Sequence, residues 1–212
     1  MTRLAAIAAA FVVLAGLGGT YLWTQFGGAG EDQFAQCTGG AVGGDIGGPF
    51  SLVNSEGETV TEADVLDEPA LIYFGYTFCP DVCPFDMARN AAAADILEER
   101  GMSVRPVFIS VDPQRDTPEV VGDFAFYMGE NVLGLTGTPE QVKAASEAYR
   151  TYYKAHPAED DFYLVDHSTF TYLMLPGSGF ADFFRRETSP EEMADRVGCF
   201  LEASGHTARP AT

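Results

Sequence analysis

Two cysteines with three residues between them stand out in the segment Phe78-Cys79-Pro80-Asp81-Val82-Cys83-Pro84. The apolar run Ala70 to Tyr76 comes just before it, and an Ala-rich stretch from Pro84 to Arg100 follows. Strand, cysteine loop, helix is the arrangement of a thioredoxin redox site. There, unsatisfied N–H groups and the helix dipole favour a thiolate. A thioredoxin pair has two intervening residues, and the longer loop here lets both sulfurs face one cation without being forced together. A thiolate attacks disulfides and also ligates soft metals, so thiol–disulfide exchange and metal binding are both open. A structural disulfide is the plainer reading, but Pro80, Asp81, Pro84 and the helix start favour a tuned site.

Two thiolates suit Cu(I), a soft ion content with few ligands. An imidazole would complete a trigonal site, and the chain offers His156, His167 and His206. His206 is in the C-terminal tail. His156 precedes Pro157 in an acidic loop and is expected to be solvated. His167 follows the apolar run Phe162 to Val165 and precedes another strand candidate, where a sheet edge could aim it. Asp166 beside it could orient the site from behind. Spacing alone leaves His167 open between ligand and structural histidine. Zinc is also conceivable, although no fourth protein ligand is evident.

The elements that must position these groups follow from periodicity and caps. Phe50 to Val53 is a short strand candidate, with a turn over Asn54 to Gly57 and a helical turn at Thr61 to Leu66. Ala70 to Tyr76 and Val104 to Val111 are buried strands. The helix from Pro84 to Arg100 is stopped by Gly101. Thr117-Pro118 opens another helix, with proline at the tolerated first position. Thr138-Pro139-Glu140-Gln141 is a capping box for a helix to about Tyr152. Phe162 to Val165, Phe170 to Leu175 and Phe180 to Phe184 are strand candidates. Ser189 caps a last helix burying Met193, Val197 and Leu201. The order predicts an α/β fold, a mixed sheet flanked by helices.

A formal net charge of -19 over 212 residues argues against nucleic acid as a partner, because that binding rests on Lys and Arg. It suits a partner with a basic patch, or a cation. Leu4 to Trp23 has no charged residue and is long enough to cross a bilayer. Arg3 precedes it and the next Lys or Arg is Arg89, so the N-terminus is expected in the cytoplasm. The competing reading is a cleaved signal peptide, but no clear small-residue cleavage site follows Trp23. The expected organisation is an anchor over 1–26, a Gly-rich linker over 27–48, a folded domain over 49–205 and a tail over 206–212.

Three blocks carry a family resemblance: Tyr73-Phe74-Gly75-Tyr76-Thr77-Phe78-Cys79-Pro80-Asp81-Val82-Cys83-Pro84, Ile109-Ser110-Val111-Asp112-Pro113-Gln114-Arg115-Asp116-Thr117-Pro118, and Tyr163-Leu164-Val165-Asp166-His167-Ser168-Thr169 with Tyr172-Leu173-Met174. In this order, over roughly Gly48 to Ala203, the chain resembles the Sco (SenC) copper chaperones of cytochrome c oxidase. The resemblance implies a thioredoxin-like fold, with Cys79 and Cys83 as thiolate ligands and His167 as imidazole ligand of Cu(I). Cu(II) is left open as a second bound state. It also implies a periplasmic copper donor and delivery to the CuA-bearing oxidase subunit. With the anchor, the soluble domain would face the periplasm from a bacterial inner membrane. Asp112, Asp116 and Asp166 fall on motif positions without an assigned role. Cys37 and Cys199 lie outside the core pattern, near the two ends of the soluble domain. In an oxidising compartment, and with an even cysteine count, they are expected to pair as a disulfide. The alternative activity is reduction of the acceptor's cysteines by a cycling Cys79–Cys83 disulfide. A peroxidase of the peroxiredoxin kind rests on fold class alone, which is weak evidence.

Overall fold

The computed structural model describes residues 34–37, 45–156 and 162–206. The chain divides into two units, Met1–Gln36 and Cys37–Thr212. Among the described residues no helix is long and apolar enough to cross a membrane. The anchor expected over 1–26 lies outside them, as does most of the linker.

The second unit is built on a five-stranded mixed sheet in the order β5-β4-β3-β8-β9. β3 (Ala70–Gly75) is buried at every position and forms the centre. It pairs in parallel with β4 (Arg105–Ser110) and antiparallel with β8 (Thr171–Leu175). β5 (Leu133–Leu135) adds in parallel to β4, and β9 (Gly179–Phe184) adds antiparallel to β8. β3 and β4 lack the polar alternation of half-exposed strands because helices cover a central sheet of this kind. A small hairpin of β1 (Ser51–Val53) and β2 (Thr59–Thr61) precedes it. Asn54 Oδ1 accepts the N–H groups of Glu56 and Glu58, and Gly57 takes the left-handed φ of 79° that closes the turn.

The β3–β4 crossover is α2 (Val82–Glu99), and a final helix, α5 (Pro190–Ser204), packs against it. Three helices begin with a Thr or Ser cap followed by Pro at the first helical position: α3 (Pro118–Met128), α4 (Pro139–Ala148) and α5. Ahead of them, α1 (Glu62–Val65) is a single turn closed by the Thr61–Asp64 capping box. Phe50, Phe74 and Tyr172 surround Tyr149 in the core, with ring centroids 5.4–6.2 Å from its own.

The structure differs from the periodicity reading in the segment leading to His167. Helix α4 stops at Ala148, short of Tyr152, and Arg150 turns the chain with φ 51°. Tyr149 is drawn wholly into the core, and the residues after it form β6 (Tyr153–Ala155). Its partner is β7 (Val165–His167), antiparallel, with Tyr153 opposite His167. The strand expected over Phe162 to Val165 thus starts at its last residue. Phe162 and Leu164 are exposed, so their apolar character does not mark a core strand. The packed chain also begins before Pro49: Gly47 N–H donates to Ala148 O at 2.9 Å, and Ile46 packs on the core.

Candidate metal centre

Cys79, Cys83 and His167 come together at the C-terminal end of β3. One donor atom from each lies within 4.8 Å of the others. Three local devices bring this about. First, α2 starts at Val82, two residues earlier than Pro84, so Cys83 sits inside its first turn. The N-cap residue Asp81 makes no side-chain capping bond. That role passes to sulfur, because Cys83 N–H donates to Cys79 Sγ at 3.4 Å. Second, β3 ends in Gly75. A Cβ there would lie 2.9 Å from Cys83 Sγ and 3.0 Å from Phe108, so glycine makes the room the buried thiol needs. Third, the β6–β7 hairpin carries His167 over the cysteine loop, where Nε2 stands 3.3 Å from Cys83 Sγ.

The imidazole is oriented on every side. Its Nδ1 is 2.9 Å from Ser168 O, a carbonyl that can only accept, so the proton belongs on Nδ1. In the neutral ring this leaves the Nε2 lone pair facing the sulfurs, the state a metal requires. Tyr73 and Tyr76 meet the ring edge-on, both at 87°, with centroids 6.1 and 5.7 Å away. Asp166 does not serve the site as expected. Neighbouring strand residues point to opposite faces, and its Oδ2 meets His156 Nε2 at 2.6 Å on the exposed side. His206 lies past the end of α5, against Ser204.

The two sulfurs differ electrostatically. A hydrogen bond from the Cys83 thiol, with help from His167 and the N–H groups of Asp81 and Cys83, pulls Cys79 down to about 3. Burial pushes Cys83 far up, and the neighbouring Cys79 pushes it further. In the metal-free pair these opposite shifts favour the thiolate on Cys79 and the thiol on Cys83. A soft cation would displace the thiol proton and take both sulfurs. Below them, Tyr73 O–H donates to buried Asp86 at 3.0 Å. Asp86 in turn contacts Arg89 at 3.3 Å, and Arg89 donates to Thr171 on β8. The other two cysteines, Cys37 and Cys199, are joined by a disulfide with Cα atoms 5.5 Å apart.

The roles left unassigned to Asp112 and Asp116 are now visible. Asp116 is fully buried and accepts from Thr77 N–H, Thr77 Oγ1 and Ser110 Oγ at 3.0, 2.5 and 2.6 Å. It ties the cysteine loop to the end of β4. Asp112 accepts from Arg115 Nε at 2.5 Å and from Tyr163 O–H at 2.6 Å. Periodicity and spacing gave no reason to single out Arg115, Tyr73, Tyr76 or Tyr163. Their only signal was membership of the three sequence blocks.

The Cys/Cys/His donor set suits copper, and known proteins agree. The SCO1/SenC family model matches residues 39–202. "Protein SenC" of Rhodobacter capsulatus is 56% identical over 174 residues, covering 81% of this chain and 79% of that protein. "Protein SCO1 homolog 1, mitochondrial" of Arabidopsis thaliana is 44% identical, covering 72% of this chain and 46% of its own length. The chain thus spans about half of that mitochondrial relative. Among solved structures, Arabidopsis thaliana ScoI with copper bound aligns with TM-score 0.70 and 42% identity over 74% of this chain and 99% of that one. Yeast Sco1 with copper bound aligns with TM-score 0.71 and 34% identity, over 79% and 92% respectively. The mixed sheet with its flanking helices is the thioredoxin-like Sco fold.

Proposed function

The chain belongs to the SCO1/SenC family, and from that premise we propose that it binds Cu(I) as cargo through Cys79, Cys83 and His167 and hands it on during cytochrome c oxidase assembly. One observation carries this reading: a sulfur and an imidazole nitrogen 84 residues apart in sequence face each other at 3.3 Å, with the second sulfur in reach. A redox pair needs no such imidazole. The ion arrives from a periplasmic copper donor and leaves by ligand exchange to the cysteines of the CuA-bearing subunit. The net charge of -19 favours a basic docking face on the acceptor, so association weakens with salt. The uncharged segment from Leu4 to Trp23 holds the domain on the periplasmic side of the inner membrane.

The test is an anaerobic Cu(I) titration of the full chain in detergent, with X-ray absorption on the product. One Cu(I) per chain with two sulfurs and one nitrogen is expected. Cys79→Ser and Cys83→Ser should abolish tight binding, and His167→Ala should weaken it about 10-fold or more, because losing only the partner that supports a ligand already costs that much. Unchanged binding in all three variants rejects the site.

The low value of Cys79 favours a second reading, reduction of the acceptor's cysteines through a Cys79–Cys83 disulfide. His167 separates the two. Oxidase assembly that survives His167→Ala supports thiol exchange, and assembly that fails supports copper transfer.

A further inference from the structure

We infer that Arg115 is a positioning residue for the metal centre: with Asp112 and Tyr163 it clamps the cysteine loop to the hairpin that carries His167. The inference rests on the copper reading above and adds what keeps the three ligands together before metal arrives.

The ligands come from two segments that share no sheet. Cys79 lies in the loop after β3 and Cys83 in the first turn of α2, while His167 ends β7, whose strand partner is β6. Backbone pairing alone therefore does not fix the hairpin over the loop. Arg115 adds side-chain ties beside the bond that Tyr76 makes to the Val165 backbone. Its guanidinium carbon sits 3.6 Å from the ring centroid of Tyr163, on the approach to β7. The same carbon is 4.8 Å from the ring of Phe78, next to Cys79, and 5.7 Å from Tyr76, which abuts the His167 ring. The Asp112 carboxylate closes the clamp, with Oδ2 on Arg115 and Oδ1 on the Tyr163 hydroxyl. Asp112 is fixed in turn, since its N–H donates to Ser110 Oγ.

Chemistry selects arginine for this position. Its flat cation stacks on aromatic faces while its edge engages a carboxylate, and lysine cannot do both. The Arg115 and Asp112 side chains are only 10% and 4% exposed, so the pair is shielded from the solvent that cancels most surface ion pairs. An ion pair, a stacking contact and a tyrosine hydrogen bond thus converge where loop and hairpin meet. The expected consequence is a preorganised imidazole, and without the clamp the hairpin swings while the thiolate pair stays in place.

The test uses the full chain carrying Arg115→Met, which keeps apolar bulk and removes the charge and the stacking plane. In the metal-free protein, 15N relaxation of the His167 imidazole should report one ordered ring in the wild type and exchange broadening in the variant. With Cu(I), the variant should bind about 10-fold more weakly, with two sulfurs retained and the nitrogen contribution reduced in X-ray absorption. The double variant Arg115→Met/His167→Ala should bind no more weakly than His167→Ala alone, because both changes remove the same ligand. A merely structural role predicts additive losses instead. Tyr163→Phe, which deletes one hydroxyl, should shift both readouts in the same direction by less, and it decides the matter should Arg115→Met fail to fold. An ordered imidazole with wild-type affinity in these variants overturns the proposal, as does additivity in the double variant. A wild-type chain that takes up no Cu(I) rejects the copper reading, and the metal-free imidazole measurement still decides the clamp.

Discussion

Cys79 and Cys83 are chemically unlike, although they share one loop. Cys79 is buried but keeps 8% of its surface exposed, and it accepts hydrogen bonds from the Cys83 thiol and the start of the helix, whereas Cys83 is wholly buried. This asymmetry predicts how the metal-free protein reacts. Iodoacetamide should label Cys79 first, as read by peptide mass spectrometry. Because Cys79 is lowered to about 3, it is already a thiolate well below neutrality. Its labelling rate should therefore stay flat between about pH 5 and 8, where an ordinary thiol with pKa near 8.5 gains about tenfold per unit. Labelling that climbs steeply with pH, or that begins at Cys83, would contradict the assignment. Bound Cu(I) should protect both sulfurs, linking this measurement to the ligand set.

Asp116 shows how one side chain ties elements together. Three donors converge on its two oxygens, from Thr77 on the cysteine loop and Ser110 on β4, while its own carbonyl accepts from Thr136 beyond β5. Asp116→Asn leaves one acceptor oxygen and turns an NH2 toward those donors, so about 1–3 kcal/mol should be lost in urea unfolding. Burial raises the Asp116 carboxyl above its ordinary value, despite the bonds from Ser110 and Thr77 that pull it down. The folded protein then binds the proton more tightly than the unfolded chain. This residue's contribution to stability therefore falls as pH rises from the ordinary carboxylate value to the raised one. The asparagine variant should lose that part of the pH slope, and an unchanged slope would refute the assignment. The same loop shows what the sequence made legible. The buried runs of β3 and β4, the Thr-Pro and Ser-Pro helix starts and the cysteine loop could all be read from residue types. The β6–β7 hairpin could not: its strands are short, half their positions are exposed, and Arg150 is a non-glycine residue in a left-handed turn. Asp166 misled because adjacency in sequence says nothing about face, and the clamp around Arg115 was hidden because its members lie 51 residues apart.

Across the whole molecule, two kinds of cysteine coexist. Cys79 and Cys83 are free, while Cys37 and Cys199 close a loop with a sequence separation of 162. The bridge joins the start of the packed unit to α5, which packs on α2, the helix holding Cys83. In the chain-entropy account a loop of this size restricts the unfolded ensemble by up to about 5 kcal/mol. Its contribution therefore belongs mostly to the unfolded state, not to the geometry of the metal centre. Cys37→Ala/Cys199→Ala should lower the urea midpoint markedly while the folded protein still takes one Cu(I), with two sulfurs and one nitrogen in X-ray absorption. Affinity should change by less than the roughly tenfold expected for His167→Ala. If removing the bridge instead cost the imidazole ligand, α5 would be steering α2 and the loop at its head, and the disulfide would have to be counted among the elements that shape the site.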